Sequence, residues 1–263
     1  MIRPHYYHQR MPTAFFLPQL LGVVTPGAYL AIGLLVGLTA LVIFAVWRDC
    51  QRTGQVLAVY LAFRVLWPYC KLLHDFRPRG PDPLPPQGPA ILIANHTSPA
   101  DPLFLQCATR RLISFLMARE YYNLTFVGWI FRLNDTIPVN RTGRDTAATK
   151  AAVRALHEGR AIGIFPEGGI NLDPDTLREG KQGAAMLALL TRAPVIPAFI
   201  ERRVHTNHLT AGLLRPSKAC IHFGRAVDLS PYYDRRHDRE VLEEVTRLLM
   251  RSIEQLRPKP GEW

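Results

Sequence analysis

A long uncharged stretch near the N-terminus constrains this chain more than any other feature. Between Met11 and Trp47 there is no Asp, Glu, Lys, Arg or His, and its core, Ala28 to Trp47, reads AYLAIGLLVGLTALVIFAVW. About 20 apolar residues are enough for a helix to cross a bilayer. A signal peptide has a shorter apolar region that ends at a small-residue cleavage site. The stretch therefore predicts a retained transmembrane helix.

The segments on either side of this helix also favour a membrane. Residues 12–27 are apolar but interrupted by three prolines, which is typical of an interfacial or re-entrant segment. Residues 55–76 are apolar around most of a helix, which fits either a helix in the membrane interface or an ordinary core helix. Basic residues are more frequent after the transmembrane segment than before it, so the positive-inside rule predicts that the rest of the chain is cytoplasmic.

The charge and the cysteines limit the partners. The net charge of +11 favours an anionic partner. Because the basic residues are spread along the chain and the aromatics do not interleave with them, we expect no nucleic acid, and instead an anionic membrane or a phosphorylated substrate. The four cysteines have no zinc-ligand spacing, and the histidines outside the motifs below, His222 among them, show no ligand spacing with a thiol or carboxylate. We therefore expect no metal, and reduced thiols facing the cytosol.

A proline-rich segment separates two regions of different pattern. Beyond it, short apolar runs alternate with amphipathic helical stretches, which is typical of an α/β domain. The apolar runs are at 90–94, 112–117, 161–165, 193–200 and 219–223, and the helical stretches are at 145–157, 182–190 and 239–256. We predict a membrane anchor and interfacial helix over residues 1–77, a linker over 78–89 and an α/β domain over 90–263.

The first group of chemically useful residues is NHTSPADPLF, directly after the run at 90–94. His96 and Asp101 would lie about 140° apart on a continuous helix, so one helix would not bring them together. If Ser98 is the N-cap and Pro99 the first helical residue, His96 lies in the preceding loop and can fold back to the carboxylate. Such a pair can act as a general base on an alcohol. The alternative is that S-x-x-D is a variant of the capping box, with a purely structural Asp101.

The second group is IFPEGG at 164–169, which follows another apolar run. Proline ends the strand, and the two glycines allow a sharp turn close to a ligand. Glu167 then lies at the exit of a strand, where ligand sites in α/β domains are found, and could accept a hydrogen bond from an acceptor hydroxyl. The alternative is a simple turn with a solvated glutamate.

Together, and in this order behind a membrane segment, the motifs resemble those of the glycerolipid acyltransferase family typified by 1-acylglycerol-3-phosphate O-acyltransferases. The resemblance covers residues 90–225. Its blocks are NHTSPAD at 95–101, ARE at 118–120 with VGWIFRLNDTIPVNR at 127–141, FPEGG at 165–169 and APVIPAFI at 193–200, and LREGKQGAA at 177–185 resembles the basic stretch after the third block.

The resemblance implies a fold with a central mixed sheet flanked by helices. It implies that His96 is the general base and Asp101 its partner, and that Glu167 and Gly168 line the acceptor site. Arg141 becomes the contact to the acceptor phosphate. The family uses acyl-CoA or acyl-acyl carrier protein as donor and needs no metal or bound cofactor, which agrees with the chemistry, because a thioester is already activated. We expect the oxyanion of the reaction to be bound by backbone N–H groups near the 96–101 turn.

The chain departs from the family in one place. Many lysophosphatidate-specific members continue the third block as E-G-T-R, whereas this chain has Gly169 and Ile170. A phosphate contact is therefore missing, and Lys181, assisted by Arg119 or Arg178, could replace it.

These inferences predict a membrane-associated enzyme of phospholipid biosynthesis. It would acylate a lysophospholipid, first of all 1-acylglycerol-3-phosphate, which would give phosphatidic acid, and its active site would open toward the bilayer. The alternatives are another acceptor, such as a head-grouped lysophospholipid or an amino-acid or sugar lipid, and a non-catalytic protein that binds acidic lipid. The presence of both His96 and Asp101 argues against the non-catalytic alternative, and a metal-dependent hydrolase would need ligands that the sequence does not show.

Overall fold

The computed structural model describes residues 26–53, 57–123, 128–140, 145–235 and 238–259. Helices α1 to α9 are, in chain order, Pro26–Thr53, Leu57–Leu73, Asp101–Ala108, Arg119–Tyr122, Gly128–Leu133, Thr146–His157, Gly183–Thr191, Leu209–Leu214 and Arg239–Glu254. Strands β1 to β7 are Arg77–Arg79, Ala90–Ala94, Ile113–Ala118, Ile137–Val139, Ala161–Ile164, Val195–Arg202 and Ala219–Phe223. The chain divides into two compact units, Met1–Arg52 and Thr53–Trp263.

The first unit contains nearly all of α1, which begins at Pro26, a residue suited to the first turn of a helix. Its segment Leu30–Gln51 is long and apolar enough to cross a membrane, and it is the one such helix among the described residues. Most of its large apolar side chains are exposed. The helix agrees with the predicted transmembrane segment, while crossing of a bilayer stays a prediction. Residues 12–25 of the predicted lead-in lie outside the described residues.

The second unit is built on one sheet in the order β1-β7-β6-β2-β5-β3-β4. Neighbouring strands are parallel except for β6 and β7, which are antiparallel. The central strands β2 and β5 are buried at every position, which explains their continuous apolar sequences AILIA and AIGI. This arrangement confirms the predicted α/β class with a central mixed sheet.

Helices cover both faces of the sheet. One core is formed by apolar side chains of α6, α7 and α9 against residues such as Ile91, Ile93 and Phe199. The other core includes side chains of α2 and α3 against Leu92, Ala94 and Ile200. Because side chains alternate between the faces of a strand, each central strand contributes to both cores. The carboxyl ends of β2 and β5 are left to carry the two predicted motifs.

Helix α2 packs on the domain, as one of the two alternatives left open by the sequence predicts, and its place in a membrane interface stays a prediction. It packs against α3, and its Cys70 is fully buried in the core. Its residues Leu57, Leu61, Val65 and Leu72 are exposed. The helix is therefore a core helix on one side and has an apolar surface on the other.

The predicted linker, residues 78–89, is packed onto the second unit. Its first residues belong to β1, which pairs with β7. The Asp82 carboxylate accepts hydrogen bonds from the backbone N–H groups of Leu84 and Arg110, and Arg111 donates to the carbonyls of Pro85 and Gly88. Proline cannot donate to a ladder, but its carbonyl still accepts, which holds this irregular segment in place. The compact units divide at residue 52 rather than 77, and the functional division into anchor, linker and catalytic domain stays a prediction.

Candidate active site

The loop between β2 and α3 brings His96 and Asp101 together. Asn95 opens the loop, and its side-chain amide exchanges two hydrogen bonds with the backbone of Ile200 on β6, at 2.6 and 3.0 Å. The Nδ1 atom of His96 lies 3.0 Å from Oδ2 of Asp101. The Asp101 side chain is fully buried, whereas that of His96 is 15% exposed. Because a carboxylate only accepts hydrogen bonds, Asp101 fixes the imidazole proton on Nδ1 and leaves Nε2 as the basic nitrogen.

The same carboxylate shapes the loop. Oδ2 of Asp101 also accepts hydrogen bonds from the backbone N–H groups of Thr97 at 2.5 Å and Ser98 at 2.8 Å. Helix α3 begins at Asp101 with Ala100 as its N-cap, so the predicted N-cap at Ser98 is wrong. The reason is that Asp101 draws the preceding N–H groups into a turn, and the Ser98 hydroxyl accepts from Ala100 within that turn.

The imidazole is also held by an aromatic ring. His96 stacks on Phe165, with ring centroids 4.0 Å apart and an interplanar angle of 14°. Phe165 in turn lies parallel to Phe115, at 6.0 Å. Gly163 makes room for this stack, because a Cβ atom there would lie 2.4 Å from the Phe115 ring. Among the described residues no hydrogen bond involves Nε2 of His96, so this atom is available to a substrate.

The Glu167 carboxylate accepts hydrogen bonds from two backbone N–H groups, one in the loop after β2 and one before α7. Its Oε1 accepts the His96 N–H at 2.9 Å, and its Oε2 accepts the Arg178 N–H at 3.0 Å. The residue is buried, with only 2% exposure. Each oxygen thus holds a backbone N–H group, and Glu167 fixes the backbone of His96. A hydrogen bond donated by an acceptor hydroxyl to Glu167 stays a prediction.

Glu167→Gln tests this role. Glutamine has one acceptor oxygen and one NH₂ group, so one of the two backbone N–H groups would face another donor. Leaving a buried N–H without an acceptor costs about 1–3 kcal/mol, and we expect the free energy of unfolding to fall by that amount. The measurement is denaturant unfolding in detergent, with the exposed Glu179→Gln as control. Equal stability of the two variants would show that Glu167 does not hold the loop.

Gly168 is required by its backbone and by its neighbour. Its φ of +66° lies in the left-handed region, which glycine adopts without strain. A Cβ atom at Gly168 would lie 2.5 Å from Cε of Lys181. The Lys181 side chain therefore packs directly on the loop 165–170, and the Lys181 N–H donates to the carbonyl of Pro166 at 2.7 Å.

Two other predicted cationic residues, Arg178 and Arg119, lie in the described part of the chain. Arg178 approaches the same loop, with Nη1 3.5 Å from the carbonyl oxygen of Ile170. Arg119 begins α4, and its charge helps to lower the pKa of Asp145, which is lowered mainly by backbone hydrogen bonds from Ala148 and Asn140. Arg141 lies outside the described residues. The structure thus brings Lys181 and Arg178 to the FPEGG loop, while Arg119 acts on Asp145.

The backbone N–H groups of the 96–101 turn are already occupied. His96 donates to Glu167, Thr97 and Ser98 donate to Asp101, Ala100 donates to the Ser98 hydroxyl, and Asp101 donates to the Ser98 carbonyl. Proline 99 has no N–H. The expectation that these groups bind the oxyanion is therefore wrong, since the turn uses them to hold itself.

Arg202, at the end of β6, was not predicted as a site residue from the sequence. Its side chain is fully buried, and Nη1 lies 4.0 Å from Oδ1 of Asp101. The only signal in the sequence is that Arg202 is the second residue after the apolar run 193–200, behind Glu201, and charged residues are common at the end of such a run. Its proximity to Asp101 depends on β6 being the neighbour of β2.

A second cluster contradicts the expectation for His222. Donor atoms of Glu201, Cys220 and His222 lie within 4.8 Å of one another, with Glu201 Oε2 and His222 Nε2 3.1 Å apart. Hydrogen bonds with Cys220 and Glu201 raise the pKa of His222. Oxygen, sulfur and nitrogen donors suit zinc, but Arg77 and Arg79 on β1 pair with Cys220 and His222 and oppose a cation. We interpret the cluster as an ion pair with a neighbouring thiol, and a reaction without a metal stays a prediction.

A half-open polar cavity of about 330 Å³ lies beside the loop that carries the dyad. Asn95, Thr97 and Glu167 are among its lining residues, together with Arg202 and His205, but His96 is not. A ligand in this cavity would touch the residues that hold the dyad rather than the imidazole itself.

The chain is similar to known acyltransferases. A family model described as Acyltransferase matches residues 75–201. The 1-acyl-sn-glycerol-3-phosphate acyltransferase of Borreliella burgdorferi is 32% identical over 46% of this chain and 49% of its own. The N-acylphosphatidylethanolamine synthase of Arabidopsis thaliana is 32% identical over 44% of each chain. This chain spans about half the length of the curated relatives it matches.

A solved structure has the same fold. The crystal structure of the 1-acyl-sn-glycerophosphate acyltransferase from Thermotoga maritima superposes with a TM-score of 0.60 at 21% identity. The match covers 83% of this chain and 91% of that one.

Proposed function

We propose that this chain, a member of the glycerolipid acyltransferase family, transfers a fatty acyl group from acyl-CoA or acyl-acyl carrier protein to the hydroxyl of a lysophospholipid, first of all 1-acylglycerol-3-phosphate. The observation that carries this proposal is the imidazole of His96. Asp101 holds it on one nitrogen and Phe165 on one face, while Nε2 stays available to an acceptor.

The reaction follows from this geometry. The acceptor hydroxyl donates a hydrogen bond to Nε2 of His96, which takes the proton as the oxygen attacks the thioester carbonyl. Asp101 stabilises the imidazolium that forms. The tetrahedral intermediate then collapses, the C–S bond breaks, and the leaving thiolate takes the proton from the imidazolium. The acceptor leaves as an ester and the base is restored.

Backbone N–H groups of the FPEGG loop are better placed to bind the oxyanion than those of the turn. Among the described residues, no hydrogen bond acceptor is found for the N–H groups of Gly169 and Ile170. The next residue, Asn171, donates to the carbonyl of His96 at 2.6 Å, which places this stretch beside the base. Free N–H donors next to the base are what a developing oxyanion requires.

Lys181 and Arg178 support a phosphate-bearing acceptor. Both side chains lie against the loop 165–170, near Gly169 and Ile170, which occupy the place of the family's Thr-Arg. Lysine binds phosphate as a point charge and arginine as a planar fork. We propose that these two residues supply the positive charge that the loop itself lacks.

The membrane side of the proposal rests on two apolar surfaces. Helix α1 is long enough to cross a bilayer, and α2 has an exposed apolar side. We propose that α1 anchors the protein with the second unit on the cytoplasmic side, where acyl-CoA and acyl carrier protein are found. The acceptor and the product then remain in the bilayer, and the active site opens toward it.

A second acceptor class is favoured by two observations. Gly169 and Ile170 remove a phosphate contact, and one relative named above is an N-acylphosphatidylethanolamine synthase. A base that deprotonates an alcohol also serves an amine acceptor. Acylation of a head-grouped lipid is therefore the alternative.

An acceptor panel tests the proposal. The full chain, reconstituted in vesicles, is given labelled acyl-CoA or acyl-acyl carrier protein with 1-acylglycerol-3-phosphate, head-grouped lysophospholipids, phosphatidylethanolamine or monoacylglycerol, and the products are identified by mass spectrometry. We expect the highest kcat/KM for 1-acylglycerol-3-phosphate. Lys181→Gln should raise the KM for this acceptor about tenfold, as expected for loss of one charged hydrogen bond, and leave that for monoacylglycerol unchanged.

The matched control is Lys150→Gln on the exposed side of α6. This variant should change neither the KM for 1-acylglycerol-3-phosphate nor the KM for monoacylglycerol. Transfer to phosphatidylethanolamine and to no other lipid in the panel would identify a head-grouped lipid as the acceptor, in place of 1-acylglycerol-3-phosphate. Absence of transfer to every lipid would reject the proposed function.

A further inference from the structure

We infer that Arg202 is a positioning residue: its guanidinium balances the charge of Asp101 from inside the protein and so limits the uptake of a proton by the His96–Asp101 pair. This inference rests on the proposed function, in which His96 must accept a proton. It concerns a residue outside the motifs that suggested the activity.

The surroundings of Arg202 are those of an incompletely neutralised buried cation. Its side chain is fully buried. Nη2 donates to the carbonyl of Gly212 at 2.6 Å, but Nε and Nη1 have no hydrogen bond partner in the described parts of the chain. The guanidinium also lies over the ring of Phe104, 5.1 Å from its centroid. A buried charge is tolerated when a charge of opposite sign lies close by, and here that charge belongs to Asp101.

The other titratable groups that face Arg202 are Tyr69, Cys70 and His74. Burial lowers the pKa of Arg202, and the charge of Asp101 acts most strongly in the opposite direction, followed by Tyr69 and Cys70. Burial raises the pKa of Tyr69, so it stays a neutral phenol. His74 also faces Arg202, and burial lowers its pKa. Asp101 is thus the one carboxylate among the described residues that acts on this arginine.

Few charges act directly on the dyad. Thr97 and Ser98 bind the Asp101 carboxylate through neutral donors. The Glu167 carboxylate binds the backbone of His96, and the positive charges of Lys181 and Arg178 lie on the same loop. Glu167 lies in the loop 165–170 and the side chains of Lys181 and Arg178 lie against that loop, whereas Arg202 faces the other oxygen of Asp101 from β6.

The consequence for catalysis is electrostatic. With Arg202 present, the Asp101 charge is balanced and a proton on the imidazole brings a net positive charge into a buried site. Without Arg202, the carboxylate has no buried counter-charge, and the dyad takes up a proton more readily. As the pH falls, the imidazole would then become protonated, and unable to act as a base, at a higher pH than in the unaltered chain. An opposite charge at 4–6 Å typically changes the protonation equilibrium of a group by 1–3 pH units.

The test measures protonation of His96 without any acyl substrate. The full chain in detergent is treated with diethyl pyrocarbonate between pH 5 and pH 9, and the modification rate of His96 is followed by mass spectrometry. We expect the pH at which the His96 modification rate is half-maximal to lie about one pH unit higher for Arg202→Met than for the unaltered chain. Arg202→Lys should keep the original midpoint, because it retains the charge. The exposed Arg215→Met is the control and should also keep it.

Unchanged midpoints in Arg202→Met would overturn the inference and leave Arg202 with a purely structural role. Because no acyl donor or acceptor is present, this outcome is independent of failure of the proposed function, which the acceptor panel detects.

Poor folding of Arg202→Met is addressed by a double variant. Removing one member of a buried ion pair leaves an uncompensated charge, whereas removing both does not. We therefore expect Asp101→Asn combined with Arg202→Met to have a higher Tm than Arg202→Met alone. If the decrease in Tm of the double variant equals the sum of the decreases caused by Asp101→Asn alone and by Arg202→Met alone, the two residues do not interact directly.

Discussion

His96→Ala should reduce acyl transfer by about 10²–10⁴-fold, the usual contribution of a positioned general base. The imidazole is the group whose free nitrogen can take the acceptor proton, and alanine offers no substitute. The variant should still fold, because Asp101 keeps its hydrogen bonds to the N–H groups of Thr97 and Ser98. The measurement is kcat/KM with the acceptor found in the panel, together with thermal unfolding and membrane fractionation.

The matched control for this variant is His208→Ala, an exposed histidine that precedes α8. It should retain full activity. Turnover of His96→Ala within tenfold of the unaltered chain, with the protein folded, would defeat the assignment of His96 as the base.

Asp101→Asn is expected to affect stability as well as activity. An asparagine oxygen can replace Oδ2 and keep the hydrogen bonds of the loop, but the negative charge is lost. Arg202 would then be a buried cation without a counter-charge, and breaking a buried pair costs about 3–5 kcal/mol. We expect the free energy of unfolding to fall by that amount and kcat/KM to fall at least 10²-fold, because the imidazolium is no longer stabilised.

Denaturant unfolding and acyl-transfer kinetics measure the two effects separately. The exposed Asp234→Asn serves as control for loss of one negative charge at the surface. A variant at Asp101 that loses activity while keeping its full stability would show that Arg202 does not depend on this carboxylate. Full activity would show that His96 works without it.

Arg202 and Glu167, which lie outside the motif of the dyad, meet two different requirements of His96 and Asp101. An imidazole next to an isolated buried carboxylate attracts a proton, whereas a neutral imidazole is required for catalysis. Arg202 resolves this conflict from the side of the protein core. Glu167 addresses a different requirement, because it fixes the backbone that carries the imidazole.

Much of the fold could be predicted from local patterns. The five apolar runs became β2, β3, β5, β6 and β7, and the helical stretches became α6, α7 and α9, with ends that differ by a few residues. Strands β1 and β4 were missed, since RPR and IPV contain proline and too few residues for a pattern. These strands form because a neighbouring strand offers them hydrogen bonds at the edge of the sheet.

The site was predictable where its parts are close in sequence. His96 and Asp101 are joined by a short loop, so local geometry was enough to expect their contact. The start of α3 was misplaced because the acceptor of the loop N–H groups is the Asp101 side chain, which competes with an N-cap at Ser98. The oxyanion donors were misplaced for the same reason.

The sequence by itself predicted strands β2, β3, β5, β6 and β7, helices α6, α7 and α9, the apolar N-terminal helix and the pairing of His96 with Asp101. Tertiary structure alone decided that Glu167, 71 residues from His96, holds the backbone of the base, and that Arg202 faces the second oxygen of Asp101. The physical reason is strand order. Periodicity and turn signals report interactions within a few residues, whereas the placement of β5 and β6 on either side of β2 depends on the packing of the whole sheet.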